Sequence, residues 1–168
     1  MKVIDINAIK NANLGQHNKC DSVDPAITTK NADGKQFLFV IENETELKKY
    51  MELKQPVFEA CKQLSTLANN PNSTLEQRTA AYNKIQEEAE KISQPLQDMC
   101  DGVVEKAYGV FWIEYDRYAT HECEYVASSL ELAEQIAKTA PRNKNQAAPH
   151  VVSEIQTEKS LNRAPGEE

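Results

Sequence analysis

The apolar residues in the middle of the chain recur every three or four positions. One stripe comprises Leu47, Tyr50, Val57, Cys61, Leu64 and Ala68, with Lys54 breaking it. The other comprises Leu75, Tyr82, Ile85, Ala89, Ile92, Leu96, Met99 and Val103. This spacing places each set on one face of an α-helix. Because only the five residues NNPNS separate the two stripes, we predict an antiparallel helical hairpin over residues 44–103.

Local signals predict where the helices begin and where they are interrupted. A cap residue is followed three positions later by Glu in Asn43–Glu46, Ser73–Glu76 and Ser128–Glu131, which is the spacing of a capping box. The first two motifs open the arms of the hairpin, and the third opens a further helix. Pro56 and Pro95 each remove a backbone hydrogen bond inside an arm, so we expect a kink or a break at both.

Runs rich in β-branched and aromatic residues flank the hairpin and predict strands. Val3–Ile6 is a short strand, and Ala26–Lys30 should pair with Lys35–Glu42 across a polar, Gly-ended turn. Residues 104–127 allow two interpretations. The aromatic run KAYGVFWIEYDRY and the alternating HECEYVA favour a second β-hairpin. A single helix also fits, since Gly109 is only a modest cost to it.

These elements predict an α+β fold. We expect a small, mostly antiparallel sheet of four or five strands, with the long helical hairpin inserted between two β-hairpins and a C-terminal helix packed on it. Residues 1–140 should form a single domain. Residues 141–168 are rich in Pro, Asn, Gln, Lys and Glu, which predicts a flexible polar tail.

Composition restricts the class of protein. With 40% hydrophobic and 27% charged residues the chain is typical of globular proteins. No apolar run approaches the roughly 20 residues of a bilayer span, and the N-terminal sequence has no secretory signal. We therefore expect a soluble, cytoplasmic protein. The net charge is −7, and residues 36–101 hold eleven acidic and seven basic side chains. Without a basic stripe, neither nucleic-acid nor membrane binding is expected.

The chain lacks the motifs of common catalytic and cofactor sites. Its four cysteines show no CxxC spacing, and no GxGxxG, P-loop, GxSxG or HExxH motif is present. We therefore predict no cofactor, no metal and no enzymatic activity. The sequence THECEY at 120–125 resembles a ligand cluster at first sight. In a strand, however, His121, Cys123 and Tyr125 would share one face and the two glutamates the other, which is the pattern of a half-covered sheet.

The function predicted is that of a non-catalytic protein-binding module, such as an inhibitor, an immunity or anti-defence protein, or an assembly adaptor. It would act on a protein with a basic surface through the hairpin and the C-terminal segment. The residues proposed for partner binding are Glu87, Glu88, Glu90, Val151, Val152, Ile155 and Leu161.

Two alternatives to a binding module stay open. One is an enzyme or a small-ligand binder with a pocket between sheet and hairpin. The residues proposed for this pocket are Trp112, Tyr115, Tyr118, His121 and Cys123. The other is a structural subunit of a larger assembly, including a homo-oligomer, in which the hairpin is the oligomerisation arm.

Overall fold

The computed structural model of the chain describes residues 1–15, 20, 22–115, 119–141 and 150–162. The strands are β1 (Lys2–Asp5), β2 (Ser22–Val23), β3 (Thr28–Lys30), β4 (Gln36–Val40), β5 (Lys106–Tyr115), β6 (Ala119–Ala127) and β7 (Val151–Gln156). The α-helices are α1 (Glu44–Ala68), α2 (Leu75–Asp98), α3 (Leu130–Thr139) and α4 (Glu158–Leu161). Short 3₁₀ turns occupy Ile6–Asn11 and Pro25–Ile27.

The predicted α+β fold is confirmed, and the helical hairpin α1–α2 lies between the β-hairpins β3–β4 and β5–β6. Residues 106–115 and 119–127 form strands, so the alternative of a single helix is wrong. The strands divide between two sheets, with the orders β1-β4-β3 and β2-β6-β5-β7. Two single parallel bridges, Val3 to Val103 and Ile41 to Ala127, connect the chain before the helical hairpin with the chain after it.

Side-chain caps define the ends of the hairpin arms. The Asn43 side chain accepts a hydrogen bond from the Glu46 N–H at 2.9 Å, as predicted. The cap of α2 lies one residue later than predicted, because Thr74 and Gln77 form the reciprocal capping box. Ser73 instead donates its hydroxyl to the Leu67 carbonyl at 2.6 Å, which closes the turn between the arms. Likewise Ser129, rather than Ser128, caps α3.

Neither proline breaks its helix. Helix α1 continues through Pro56, and α2 continues through Pro95. Each proline removes one hydrogen bond from a ladder that is otherwise maintained. Pro56 also lies on the exposed side of α1, where water can satisfy the carbonyl that loses its partner. The next residue, Val57, is buried and holds this part of α1 against the core.

Residues 151–156 form an edge strand of the four-stranded sheet, so the prediction of a flexible tail is wrong over this segment. Strand β7 pairs antiparallel with β5, from Lys106–Gln156 to Phe111–Val151. Ser153 and Ile155 are buried while their neighbours are partly exposed, which is the alternation of a strand. The alternation was not evident in the sequence, because one of the buried positions, Ser153, is polar. Its hydroxyl oxygen accepts a hydrogen bond from the Asn13 N–H at 2.8 Å.

A β-bulge changes which side chains of THECEY share a face. Val110 pairs with Tyr125 and Phe111 pairs with Cys123, which leaves Glu124 as the extra residue of β6. Paired residues point to the same side of a sheet. Cys123 and Tyr125 therefore lie on opposite faces, and the prediction of a common face is wrong for Tyr125. Both side chains are nevertheless buried, because both faces of the sheet are covered here.

Candidate functional site

The main candidate site is a cleft between the helical hairpin and the four-stranded sheet. Its volume is about 380 Å³, within the range of about 300–1,000 Å³ found for ligand sites. Helices α1 and α2 form one wall, and β5, β6 and the segment that includes β2 form the other. Pro141, which follows α3, also lines it. We refer to it as the hairpin cleft.

The walls of the hairpin cleft are largely apolar. They include Val57 and Leu64 from α1, Tyr82 and Ile85 from α2, and Trp112 from β5. The side chains from α1 and α2 belong to the apolar stripes that also pack the two helices against each other. Where the helices extend beyond the sheet, the apolar faces of these helices have fewer neighbours to pack against. The exposed fraction of Tyr82 is 54%, so apolar surface continues from the cleft to solvent.

Trp112 provides a hydrogen-bond donor whose partner is missing among the described residues. Its indole Nε1–H is buried, can only donate a hydrogen bond, and has no acceptor among the described residues. A buried donor without an acceptor costs about 1–3 kcal/mol. Because this nitrogen has almost no accessible surface, it is not presented to an occupant of the cleft.

A buried ion pair lies at the inner end of the cleft. Lys54 Nζ is 2.8 Å from Asp24 Oδ2, and both residues are buried. The ammonium group also lies 4.1 Å from the centroid of the Tyr125 ring and 3.5 Å from the Glu124 carbonyl oxygen. Burial is the strongest influence and alone would lower the pKa of Lys54. The Asp24 carboxylate, with smaller contributions from Tyr50, Tyr125 and Glu124, raises the pKa well above its ordinary value. Lys54 is therefore a fixed cation.

The bulge residue Glu124 has its own partner. Its Oε2 lies 2.8 Å from Nε2 of His150, whose side chain is fully buried. Glu124 reaches this position because the bulge turns it toward the cleft together with Glu122 and Tyr125. The two acids with little exposure in the cleft, Asp24 and Glu124, are thus each paired with a nitrogen.

Cys61 also lines the cleft, and burial raises the pKa of its thiol to about 12, with a smaller contribution from Asp24. Compared with a thiol of the ordinary pKa of 9, the fraction of Cys61 present as thiolate near pH 8 is lower by about a thousandfold. Only the thiolate is nucleophilic, so the reactivity of Cys61 falls with it. We therefore expect Cys61 to resist alkylation by iodoacetamide in the folded protein, as measured by mass spectrometry of the intact peptide. Full reaction in urea is the control, and equal rates in both states would contradict the expectation.

The structure places the predicted pocket residues on different sides of the sheet. Trp112 lines the hairpin cleft. His121 and Cys123 pair with Ile113 and Phe111 on the opposite face. Trp112 and His121 nevertheless both border a second, smaller pocket of about 130 Å³. Tyr115 ends β5. Tyr118 lies outside the described residues.

The residues predicted to bind a partner also occupy different environments. Glu87 and Glu90 are exposed on α2. Glu88 lies 2.9 Å from Lys84 and 3.1 Å from Lys91, and these ammonium groups lower the pKa of its carboxyl. In the C-terminal segment, Val151 and Val152 are half-buried in β7, Ile155 is fully buried, and Leu161 is 51% exposed. The side chain of Ile155 is thus part of the core.

One feature of the sequence indicates a buried polar site on α1. Lys54 interrupts the apolar stripe of α1, and a lysine on the buried face of a helix requires a counter-ion. Asp24 could not be assigned as that partner, because it lies thirty positions earlier in a loop. Tyr82 and Glu124 gave no signal, since one fits an ordinary helical stripe and the other an ordinary strand.

Three comparisons with known proteins, using family models, curated sequences and solved structures, return no match. In the part of the chain that the structure describes, no cluster of His, Cys, Asp or Glu could hold a metal ion. The helices described there are also too short or too polar to cross a membrane. Function must therefore be inferred from the geometry of the cleft.

Proposed function

We propose that the protein is a non-catalytic protein-binding module whose contact surface is the hairpin cleft together with the adjoining face of α2. The observation that carries this proposal is apolar surface that leaves the cleft and reaches solvent. Tyr82 is 54% exposed and Leu75 is 71% exposed. The two residues are seven positions apart and share one face of α2, about 10 Å from each other. Large apolar side chains exposed beside an apolar cleft are typical of interaction sites.

The chemistry of the cleft supports binding rather than catalysis. A general acid or base works best with a pKa near the operating pH, and a nucleophile needs an activated form. The pKa values of Lys54 and Cys61 are both raised, so the amine stays charged and the thiol stays protonated. Glu124 is engaged by His150. None of these groups is poised for proton transfer or attack.

A small apolar ligand is the second candidate, favoured by the enclosed inner part of the cleft beside Trp112. Native mass spectrometry of protein purified from its source tests this candidate. A co-purifying small molecule that is lost in Trp112→Ala would favour it over a protein partner.

We expect Tyr82→Asp to reduce capture of the natural partner at least fivefold in a pull-down from native lysate with quantitative mass spectrometry, because a charge is placed on the apolar surface. Leu130→Asp is the matched control. Leu130 is 48% exposed and lies outside the cleft, so its replacement should leave capture unchanged. Leu161→Asp tests the C-terminal surface in the same way.

Equal capture by wild type and Tyr82→Asp would remove the cleft from the proposal. Loss of capture with Leu161→Asp alone would move the contact surface to α4. Light scattering of the purified chain, carried out on the same variants, scores self-association through the hairpin.

A further inference from the structure

We propose that Asp33 is a site of spontaneous backbone modification, at which aspartate converts to isoaspartate through a cyclic imide formed with Gly34. The chain contains two Asp-Gly dipeptides, Asp33–Gly34 and Asp101–Gly102. Glycine after aspartate favours this reaction, because no β-carbon hinders the approach of the glycine nitrogen to the aspartate side chain. The surroundings of the two dipeptides differ, and the difference favours the first. This inference is independent of the proposed function.

The reaction needs only the chain and water. The main-chain nitrogen of Gly34 attacks Cγ of the protonated Asp33 carboxyl group. The N–Cγ bond forms, the Cγ–OH bond breaks, and the hydroxyl group leaves with the amide proton as water. A second water molecule then opens the imide ring. Cleavage of the original peptide bond leaves the main chain running through Cγ, which is isoaspartate, whereas cleavage of the new N–Cγ bond restores aspartate.

The first dipeptide lies at the tip of the β3–β4 hairpin, where residues 30–36 are all exposed. A β-carbon added to Gly34 would meet nothing within 4 Å, so the space beside its nitrogen is open. Asp33 donates its main-chain N–H to Asn31 Oδ1 at 3.0 Å, whereas nothing in the described part of the chain holds its carboxylate. The Gly34 N–H donates to the Asn31 carbonyl oxygen at 3.0 Å. Hydrogen bonds in exposed turns open readily, which allows the nitrogen and the carboxyl group to meet.

The second dipeptide is held through both its side chain and its main chain. Lys2 Nζ lies 2.6 Å from Asp101 Oδ1 and lowers the pKa of this carboxyl, so less of it is in the protonated form that cyclises. The Asp101 N–H donates to the Met1 carbonyl oxygen at 3.0 Å. The Gly102 carbonyl oxygen accepts from the Val3 N–H at the same distance. This site therefore serves as an internal control for the hairpin turn.

Incubation of the purified full chain at physiological temperature, followed by peptide mapping, tests the inference. Electron-transfer fragmentation distinguishes isoaspartate from aspartate at each dipeptide, and mass spectrometry detects the imide as the loss of one water molecule. We expect roughly fivefold more isoaspartate at Asp33 than at Asp101, because the exposed turn opens more often than the held segment. Equal amounts at the two positions, or none at Asp33, would overturn the inference.

Two variants test the physical reasons separately. Asn31→Ala removes the side-chain oxygen that accepts from the main-chain N–H groups of Asp33 and Lys35. Isoaspartate should then form faster at Asp33 and at an unchanged rate at Asp101. Lys2→Met releases the Asp101 carboxylate and should raise isoaspartate severalfold at this position alone.

Circular dichroism verifies that both variants are folded. Asn31→Ala concerns the turn alone, so it tests the inference even if Lys2→Met proves unstable. An unchanged rate at Asp33 in Asn31→Ala would contradict control by opening of the turn. An unchanged rate at Asp101 in folded Lys2→Met would contradict protection by the ion pair.

Discussion

Replacing Asp24 with Asn is expected to lower the free energy of unfolding by about 3–5 kcal/mol, because it leaves the buried Lys54 ammonium without its counter-ion. Asn has nearly the same shape, and its oxygen can still accept the hydrogen bond that the Ala26 N–H donates to Asp24 at 2.9 Å. The loss therefore reports the charge rather than the turn. Urea unfolding followed by circular dichroism measures it.

The double variant Asp24→Asn/Lys54→Met provides the decisive comparison. Removing both charges should recover most of the lost stability, since a buried ion pair and an apolar replacement are often close in energy. Glu59→Gln serves as a surface control. Glu59 lies 3.6 Å from Lys62, and both side chains are about half exposed, so its replacement should leave the unfolding free energy nearly unchanged. A double variant no more stable than Asp24→Asn would show that the pair is not the cause.

Gly109→Ala is expected to destabilise the protein by about 1–3 kcal/mol, the usual cost of overpacking a core. A β-carbon at this position would lie 2.7 Å from Cε2 and 2.9 Å from Cζ of Phe111. Phe111 is fully buried in β5, which is an interior strand of the four-stranded sheet. Thermal and urea unfolding of the variant measure the effect.

Gly102→Ala is the matched control for this substitution. Its β-carbon would meet only the flexible Lys2 side chain, at 3.5 Å or more, so little change in stability is expected. The combination Gly109→Ala/Phe111→Leu should lose less stability than the sum of the two single losses, because the smaller side chain leaves room for the added β-carbon. Strictly additive losses would contradict the steric explanation.

The parts of the fold that were predicted correctly depend on contacts that are local in sequence. The hairpin follows from a repeat of three and four positions and from caps such as Asn43, all of which can be counted along the chain. Strands β5 and β6 follow from composition and a short turn. The faces of β6 could not be predicted beyond Glu124, because a bulge depends on which residue of the neighbouring strand it opposes.

The candidate site was less predictable, for a related reason. The hairpin cleft brings together α1, α2 and two strands that are up to about seventy positions apart in the chain, as the contact of Lys54 with Glu124 illustrates. Tyr82 lines the cleft because no other element of the described structure covers it, and this cannot be seen from its place in the helical stripe. Trp112 was identified as a pocket residue from its type alone. It lines the hairpin cleft and borders the smaller pocket together with His121, whereas Cys123 lies on the face of the sheet opposite the cleft.

The position of β7 in the chain has a consequence for biosynthesis. Strand β5 pairs on one side with β6, which follows it closely, and on the other with residues 151–156. While the chain emerges from the ribosome, the α1–α2 hairpin can form early from its local contacts. The second edge of β5 stays open until residue 156 has been translated, and open edges recruit other chains. A nascent chain that stalls before β7 is therefore expected to aggregate rather than to yield a smaller folded domain.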